Sequence, residues 1–358
     1  MLFEPLVTAS LQLANRAVMA PMTRSRAVDA NTPNVLMAEY YGQRASAGLI
    51  ITEGTSPSPN GLGYARIPGL FNEAQVRGWK TVTDAVHARG GKIFVQLMHT
   101  GRVTHRANLP AGAEVLGPMA DAYPGEMYTD AQGMQPHSTP RAMTATDIAH
   151  AVDEYANSAR LAIEAGFDGV ELHAANGYLI EQFLNSQVNQ RTNGYGGSIE
   201  GRNRFALEVA RATAAVIGAH RVGVRLSPYG VFNGTGAFPD VEAQYLALTQ
   251  ELSKLDLLYV HLLDHSAMGA PSVPAEFKAR LRAAFHGLFI LAGGFDRAGA
   301  EAALKAGQAD LIAFARAFLA NPDLVERMHA DAALNDINMA TFYTPGPTGY
   351  TDYPALVA

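Results

Sequence analysis

Short apolar runs, many of them β-branched, recur along the chain and alternate with segments of helical period. The strand candidates are "RAVMAPM" (16–22), "LIITEG" (49–54), "KIFVQLM" (92–98), "GVELHAA" (169–175), "RVGVRLS" (221–227), "LLYVHLL" (257–263), "LFILAGG" (288–294) and "LIAFARAF" (311–318). None alternates cleanly between apolar and polar, so each reads as buried on both faces, as parallel sheets require. Between them, apolar positions fall at three- and four-residue steps. They are Val76, Trp79, Val82 and Val86 in 72–90; Ile148, Val152, Tyr155, Ala159 and Ile163 in 147–165; and Phe205, Val209, Ala212 and Val216 in 201–218. "RGG", "AGFDG" and "AGQAD" punctuate helix ends with glycine. "NPDLVERM" (321–328) starts a helix with Asn321 as the cap and Pro322 in the first turn.

Eight β/α units predict a single (β/α)8 TIM barrel spanning residues 1–358 as one domain. A doubly wound sheet is the alternative, but its dinucleotide form carries G-x-G-x-x-G after a strand, and "GLGYAR" (61–66) fails at the last position. Residues 1–15 are expected to form a hairpin closing the barrel floor. Residues 99–145, rich in proline and glycine, are an insertion after strand three of the length typical of functional lids.

Composition narrows the function classes. Hydrophobic residues are 48% of the chain, charged residues 17%, and the formal net charge is −6. No Lys/Arg run points to nucleic acid or an anionic membrane. With no cysteine, disulfides, thiolate zinc sites, iron–sulfur clusters and cysteine nucleophiles are excluded. The start "MLFEPLVTASLQLANR" lacks the features of a signal peptide. No apolar run approaches the roughly 18 residues of a membrane span. A cytoplasmic protein is the expectation.

Barrel enzymes do their chemistry at the C-terminal strand ends. Those ends carry Thr23, Gly54, Gln96 with His99, then His173 with Asn176 and Tyr178, Arg225, Asp264 with His265, Gly293–Gly294, and Arg316. Strands seven and eight suggest a phosphate site, with Gly293 and Gly294 opening backbone N–H groups and Arg316 adding a guanidinium. The bland reading is a tight turn and a surface charge. Arg225 either faces an anionic or electron-rich partner near the barrel axis or pairs internally with Glu171 or Glu53. The Gln96 amide suits the edge of a heterocycle or a rim turn. For metal, His261 with Asp264 and His265, or His99 with His105, lack zincin spacing, so no metal site is expected.

The stretch "VELHAANGYL" (170–179) ends a strand with an imidazole, an amide and a phenol. His173 and Asn176 can donate to one oxygen and stabilise charge developing on it. Tyr178, with an ordinary pKa near ~10, keeps a proton at neutral pH and can act as a general acid. That set suits addition to, or isomerisation of, a carbonyl-activated substrate. The bland alternative is a helix start in which Asn176 caps and Tyr178 packs.

Together these ends resemble the Old Yellow Enzyme family of FMN-dependent ene-reductases, in its classical branch. The resemblance rests on "MAPMTRSRA" (19–27), "ITEG" (51–54), "GYARIPG" (63–69), "VQLMHTGR" (95–102), "ELHAANGYLIEQFLNSQVNQRTNGYGGSIEGRNRF" (171–205), "RVGVRLSP" (221–228), "LAGGF" (291–295), "FARAFLANPDL" (314–324) and "GYTDYP" (349–354). It implies tightly but non-covalently bound FMN. Thr23 resembles the hydroxyl on flavin O4, and Gln96 and Arg225 resemble the residues at the pyrimidine edge. Pro21, Met22 and Gly54 would line the ring, with Gly293, Gly294, Ala315 and Arg316 at the phosphate. His173 and Asn176 resemble the grip on the substrate's activating oxygen, and Tyr178 the proton donor. Tyr64, Met98 and Tyr343 look like pocket walls.

The mechanism implied by the resemblance is ping-pong. NADPH or NADH reduces the flavin and leaves. An α,β-unsaturated carbonyl, imide or nitroalkene then receives hydride from N5 and a proton from Tyr178. The partners implied are small-molecule activated alkenes, and relatives occur as monomers and homodimers. Four positions depart from common patterns: Met98 for Trp, Asn176 where a subset has His, Ala315 for Gly, and Asn193 for Asp. Two rivals remain. A sugar-phosphate isomerase or aldolase needs a Lys or Glu base at a strand end, and Glu53 is the only spare carboxylate. A flavin protein without turnover would be yellow yet indifferent to enones.

Overall fold

The computed structural model describes residues 1–356. Eight parallel strands close into a barrel: β1 (Ala17–Met19), β2 (Leu49–Thr55), β3 (Ile93–Leu97), β4 (Gly169–Ala174), β5 (Val222–Leu226), β6 (Tyr259–Leu263), β7 (Leu288–Ala292) and β8 (Leu311–Phe314). They pair in chain order, and β8 returns to β1 through Ile312–Ala17, Ala313–Val18 and Phe314–Met19. Nearly every strand residue is buried, which explains why the sequence shows runs rather than alternation.

Eight helices cover the barrel: α1 (Val35–Gln43), α2 (Glu73–His87), α3 (Ala145–Glu164), α4 (Ile199–Ile217), α5 (Val241–Lys254), α6 (Ala275–Ala284), α7 (Arg297–Lys305) and α8 (Leu324–Ala330). Trp79, Val82 and Val86 of α2 are fully buried, as their spacing predicts. In α4, Phe205 and Val209 are fully buried as their spacing predicts, and the buried face also takes in Ala206 and Thr213. Val216 sits at its edge in the last turn and is 49% exposed, contrary to expectation. Gly90, Gly166 and Gly307 terminate helices at positive φ (77°, 91° and 67°), where a side chain is disfavoured.

The barrel floor is closed by an N-terminal hairpin in which Leu6 pairs with Leu13. Its Leu11 and Leu13 join Val18, Leu49, Phe94, Tyr259, Ile290 and Leu311 in one apolar cluster inside the barrel. The insertion after β3 holds a hairpin, Glu126–Thr129 with Gly133–Pro136, and a short parallel pair. It ends one residue early, because Thr144 and Asp147 form a capping box that starts α3 at Ala145.

Two other expectations are corrected. Strand eight stops at Phe314. Ala315 turns the chain (φ −97°, ψ −85°) into a short helix, Arg316–Ala320, so the apolar run 311–318 is half strand and half helix. The cap position of α8 is Asp323, and Asn321 closes the preceding turn by donating to the Ala317 carbonyl (2.8 Å).

The C-terminal segment crosses back over the barrel top. Two buried guanidiniums hold it by its carbonyls. Arg24 donates to Phe342 (3.2 Å) and Gly349 (2.7 Å), and Arg26 donates to Phe342 (2.6 Å), Thr341 (2.8 Å) and Thr348 (3.0 Å). Tyr350 stacks on Tyr40 with ring centres 4.0 Å apart.

Candidate active site at the strand C-termini

The turn after β4 is strained and tightly held. Asn176 and Gly177 both have positive φ (60° and 74°), a region Asn and Gly tolerate best. A Cβ on Gly177 would stand 2.6 Å from the Phe232 carbonyl oxygen. The Asn176 N–H donates to Ser227 Oγ (2.9 Å) and the Gly177 N–H to Glu181 Oε2 (2.6 Å). The turn's carbonyls accept from Asn233 Nδ2 (2.7 Å, at Asn176) and Gln182 Nε2 (2.7 Å, at Gly177). With each group tied, the surroundings impose the conformation.

This turn sets the His173 ring 5.0 Å from the Tyr178 ring, edge to face. Asn176 is not a helix cap. Tyr178 occupies that position before Leu179–Leu184, with no side-chain capping bond. His173 Nδ1 and Asn176 Oδ1 are both buried without a hydrogen-bond partner. Burial, then the charges of Arg225, His261 and His265, push the His173 imidazole well below its ordinary range, so it is neutral. The Tyr178 hydroxyl donates to Tyr64 Oη (3.1 Å). Burial raises the Tyr178 phenol, with Tyr64 and Asn233 offsetting part of the rise, so it stays protonated at neutral pH.

Tyr64, Met98 and Tyr178 share an apolar patch with Leu62 and Ile67. Met98 packs where a Cβ on Gly54 would stand. Tyr343 is 60% exposed, and its carbonyl accepts from Arg66 (2.9 Å), which also pairs with Asp130 of the insertion hairpin. Pro21 is buried after β1, and Met22 and Thr23 are half-buried.

Arg225 lies directly across from His173 in the sheet. It is buried, its Nε has no partner, and no ion pair engages it among the described residues. Glu53 is neither its partner nor a spare base. Its oxygens accept from the Arg24 N–H (3.2 Å) and the Tyr41 hydroxyl (3.3 Å). Gln96 does not serve a rim turn; its Nε2 donates to Glu171 Oε1 inside the barrel (2.8 Å).

At β7 and β8, Gly293 has φ 144°, and a Cβ there would stand 2.5 Å from the Asp264 carbonyl oxygen. Gly294 (φ 71°) faces Ala267, and Arg316 is exposed beside Met268 Sδ (3.5 Å). Ala315 packs against the interior cluster. The histidines considered for metal are not gathered. His99 and His105 each accept a backbone N–H two residues on (3.0 and 3.1 Å). His261 bonds Glu171, and Asp264 pairs with Lys278 (2.6 Å).

Glu171, which the sequence offers only as a partner for Arg225, bonds Gln96, Tyr259 and His261 instead. Two contributors escape sequence reasoning: Asn233, which reaches Asn176 from the loop after β5, and the buried carboxylate Glu181. Glu181 also accepts from Ser227 (3.1 Å) and Tyr245 (2.8 Å). Burial raises it to about 7, with the Gly177, Tyr245 and Ser227 donors offsetting part of the rise. A carboxyl raised on folding binds its proton more tightly in the native state, so stability is lost as pH climbs from 4.5 through 7. The stability of Glu181→Gln relative to the parent should therefore rise by about 3 kcal/mol across that window. Urea unfolding at several pH values checks this; a difference independent of pH would contradict it.

These features define a barrel with unsatisfied polar groups at one rim and a glycine pair beside a free guanidinium at the last two strands. A profile described as the NADH:flavin oxidoreductase / NADH oxidase family matches residues 1–335. A rice 12-oxophytodienoate reductase is 41% identical, covering 99% of this chain and 94% of its own. A Leishmania infantum protein described as a "probable flavin mononucleotide-dependent alkene reductase" is 43% identical, over 99% and 97%. The structure of morphinone reductase in complex with tetrahydroNAD superposes with a TM-score of 0.94 at 45% identity, covering 99% of this chain and 98% of that one.

The chain belongs to the NADH:flavin oxidoreductase family, the FMN-dependent Old Yellow Enzyme group. Its residues fit that cofactor. A free buried guanidinium at Arg225 suits an electron-rich ring edge, and the Gly293–Gly294 turn leaves backbone beside Arg316 open to a phosphate.

Proposed function

We propose that this enzyme reduces the C=C bond of α,β-unsaturated carbonyls, imides or nitroalkenes at the expense of NADPH or NADH, in a ping-pong cycle. The observation that carries this reading is the pair of buried side-chain nitrogens at one rim that lack protein partners, His173 Nδ1 and Arg225 Nε. Leaving such groups unsatisfied costs roughly 1–3 kcal/mol each, so a ligand that satisfies them binds with that advantage.

When bound, FMN supplies a two-electron carrier that takes hydride from the nicotinamide and gives it to the alkene. Arg225 and Gln96 would hold its pyrimidine edge, and Thr23, in the loop after β1, would donate to it. Pro21, Met22 and Gly54 flank the ring, with Gly293, Gly294, Ala315 and Arg316 at the phosphate. His173 and Asn176 bind the substrate's activating oxygen and draw charge towards it. Tyr178 keeps a proton at its phenol oxygen, steadied by Tyr64, and delivers it to the α-carbon. Tyr64, Met98 and Tyr343 shape the pocket around the alkene.

The visible spectrum of the purified protein, recorded without oxygen, tests the reading. An oxidised-flavin band is expected. NADPH or NADH should bleach it, and cyclohexenone or N-ethylmaleimide should restore it. A protein that stays colourless after soaking with FMN refutes the assignment. A band that bleaches but ignores every activated alkene refutes the reductase reading and leaves a flavin carrier.

A further inference from the structure

Glu171 has no part in the reaction just outlined, yet it is fully buried at the centre of the barrel. It lies two residues before His173 on β4, hence on the same face, and its register partners are Gln96 on β3 and Gly223 on β5. Gly223 leaves room for the Tyr259 ring, which crosses the space a Cβ would fill. Three donors converge on the carboxylate: Gln96 Nε2 on Oε1 (2.8 Å), and Tyr259 Oη (3.1 Å) and His261 Nδ1 (2.8 Å) on Oε2.

Arg225 is not among those donors. It sits two residues beyond Gly223 on β5, next to His261 in the register, close enough for the two charges to feel each other but not in contact. An arginine beside a buried carboxylate ordinarily takes it in a bidentate pair. Here other donors occupy the carboxylate, so the guanidinium keeps its N–H groups for the rim. Burial alone would raise the Glu171 carboxyl; His261, Arg225 and Gln96 more than offset it and hold it below the usual range. Burial outweighs Glu171 at His261, which is neutral.

Resting on the reading that FMN lies against Gln96 and Arg225, we propose that Glu171 is a positioning residue for the flavin. It fixes the Gln96 amide with its NH2 group turned inward, so the carbonyl oxygen is the group free for the ring edge. It also offsets the charge of Arg225 without occupying it, which holds down the enzyme's preference for reduced over oxidised FMN. Gln96 and Arg225 touch the ring; Glu171 acts through them.

The test measures the midpoint potential of bound FMN and the Kd of oxidised FMN in the parent, Glu171→Gln and Tyr259→Phe holoenzymes. Glu171→Gln leaves Arg225 unopposed. The ratio of affinities for reduced and oxidised FMN should rise about tenfold, an upward shift of about 30 mV for this two-electron couple. Tyr259→Phe removes one donor and leaves the carboxylate charge less neutralised, so the potential should fall by a smaller amount. Opposite shifts support the proposal. A weaker Kd with unchanged potential in both variants marks a merely structural role and overturns it, while the flavoenzyme reading stands. Should Glu171→Gln not fold, an unchanged or raised potential in Tyr259→Phe overturns it alone. A parent protein that takes up no FMN removes both the reading and this inference.

Discussion

Tyr178→Phe is expected to slow alkene reduction by about a hundredfold or more while leaving flavin reduction by the nicotinamide nearly unchanged. The variant removes the phenol hydroxyl, with its proton and its hydrogen bond to Tyr64, and leaves a ring held edge-on to both His173 and Tyr64. Burial keeps that phenol protonated, so the acid is present throughout the neutral range. In the proposed cycle, only the half-reaction that ends in a new C–H bond at the α-carbon needs it. Stopped-flow measurement of the two half-reactions separates the steps, and equal losses in both would refute the proton-donor role.

The second large effect is expected at the other arm of the same turn. His173→Ala should lower kcat/KM for an enone by about 10²–10³, the usual cost of one donor to a developing oxyanion. Asn176→Ala should behave similarly. The double variant should lose less than the product of the two, because both donors serve one oxygen. The imidazole is neutral because burial, reinforced by the Arg225 charge, disfavours its cation. The parent and His173→Ala should therefore share any inflection near the ordinary histidine pKa of ~6.5, where Glu181, raised to about 7, titrates beneath the same turn. An inflection there that disappears in His173→Ala would show that the ring works as a cation instead.

Much of this arrangement was readable from the chain. Strand bodies such as "GVELHAA" are apolar because helices cover one face and barrel interior the other. Polar residues at their ends therefore stood out as rim groups. The errors fell where local pattern meets tertiary context. "LIAFARAF" is apolar throughout, and only the turn at Ala315 divides it into strand and helix. Val216 kept the helical period but lay beyond the contact with the barrel. The roles of Glu171, Glu181 and Asn233 could not be found from spacing, since their side-chain partners lie 46 to 90 positions away. The distances Glu171–His261, Glu181–Tyr245 and Asn233–Asn176 in sequence are 90, 64 and 57. The arginines of "TRSRA" belonged to a quoted motif, but their task of gripping Phe342 and Gly349 is visible only in three dimensions.

That grip has a consequence for synthesis of the chain. Arg24 and Arg26 leave the ribosome 315 to 325 residues ahead of the C-terminal carbonyls that accept from them. Until residues 341–349 emerge, Arg24 keeps only the Tyr40 hydroxyl (3.1 Å) and Arg26 only the Arg24 carbonyl (2.7 Å), and burying two guanidiniums with most of their donors unpaired is costly. Nascent chains arrested before residue 340 should therefore leave the β1 end of the barrel open and accessible to protease, and its closure should wait until residues 341–349 are available.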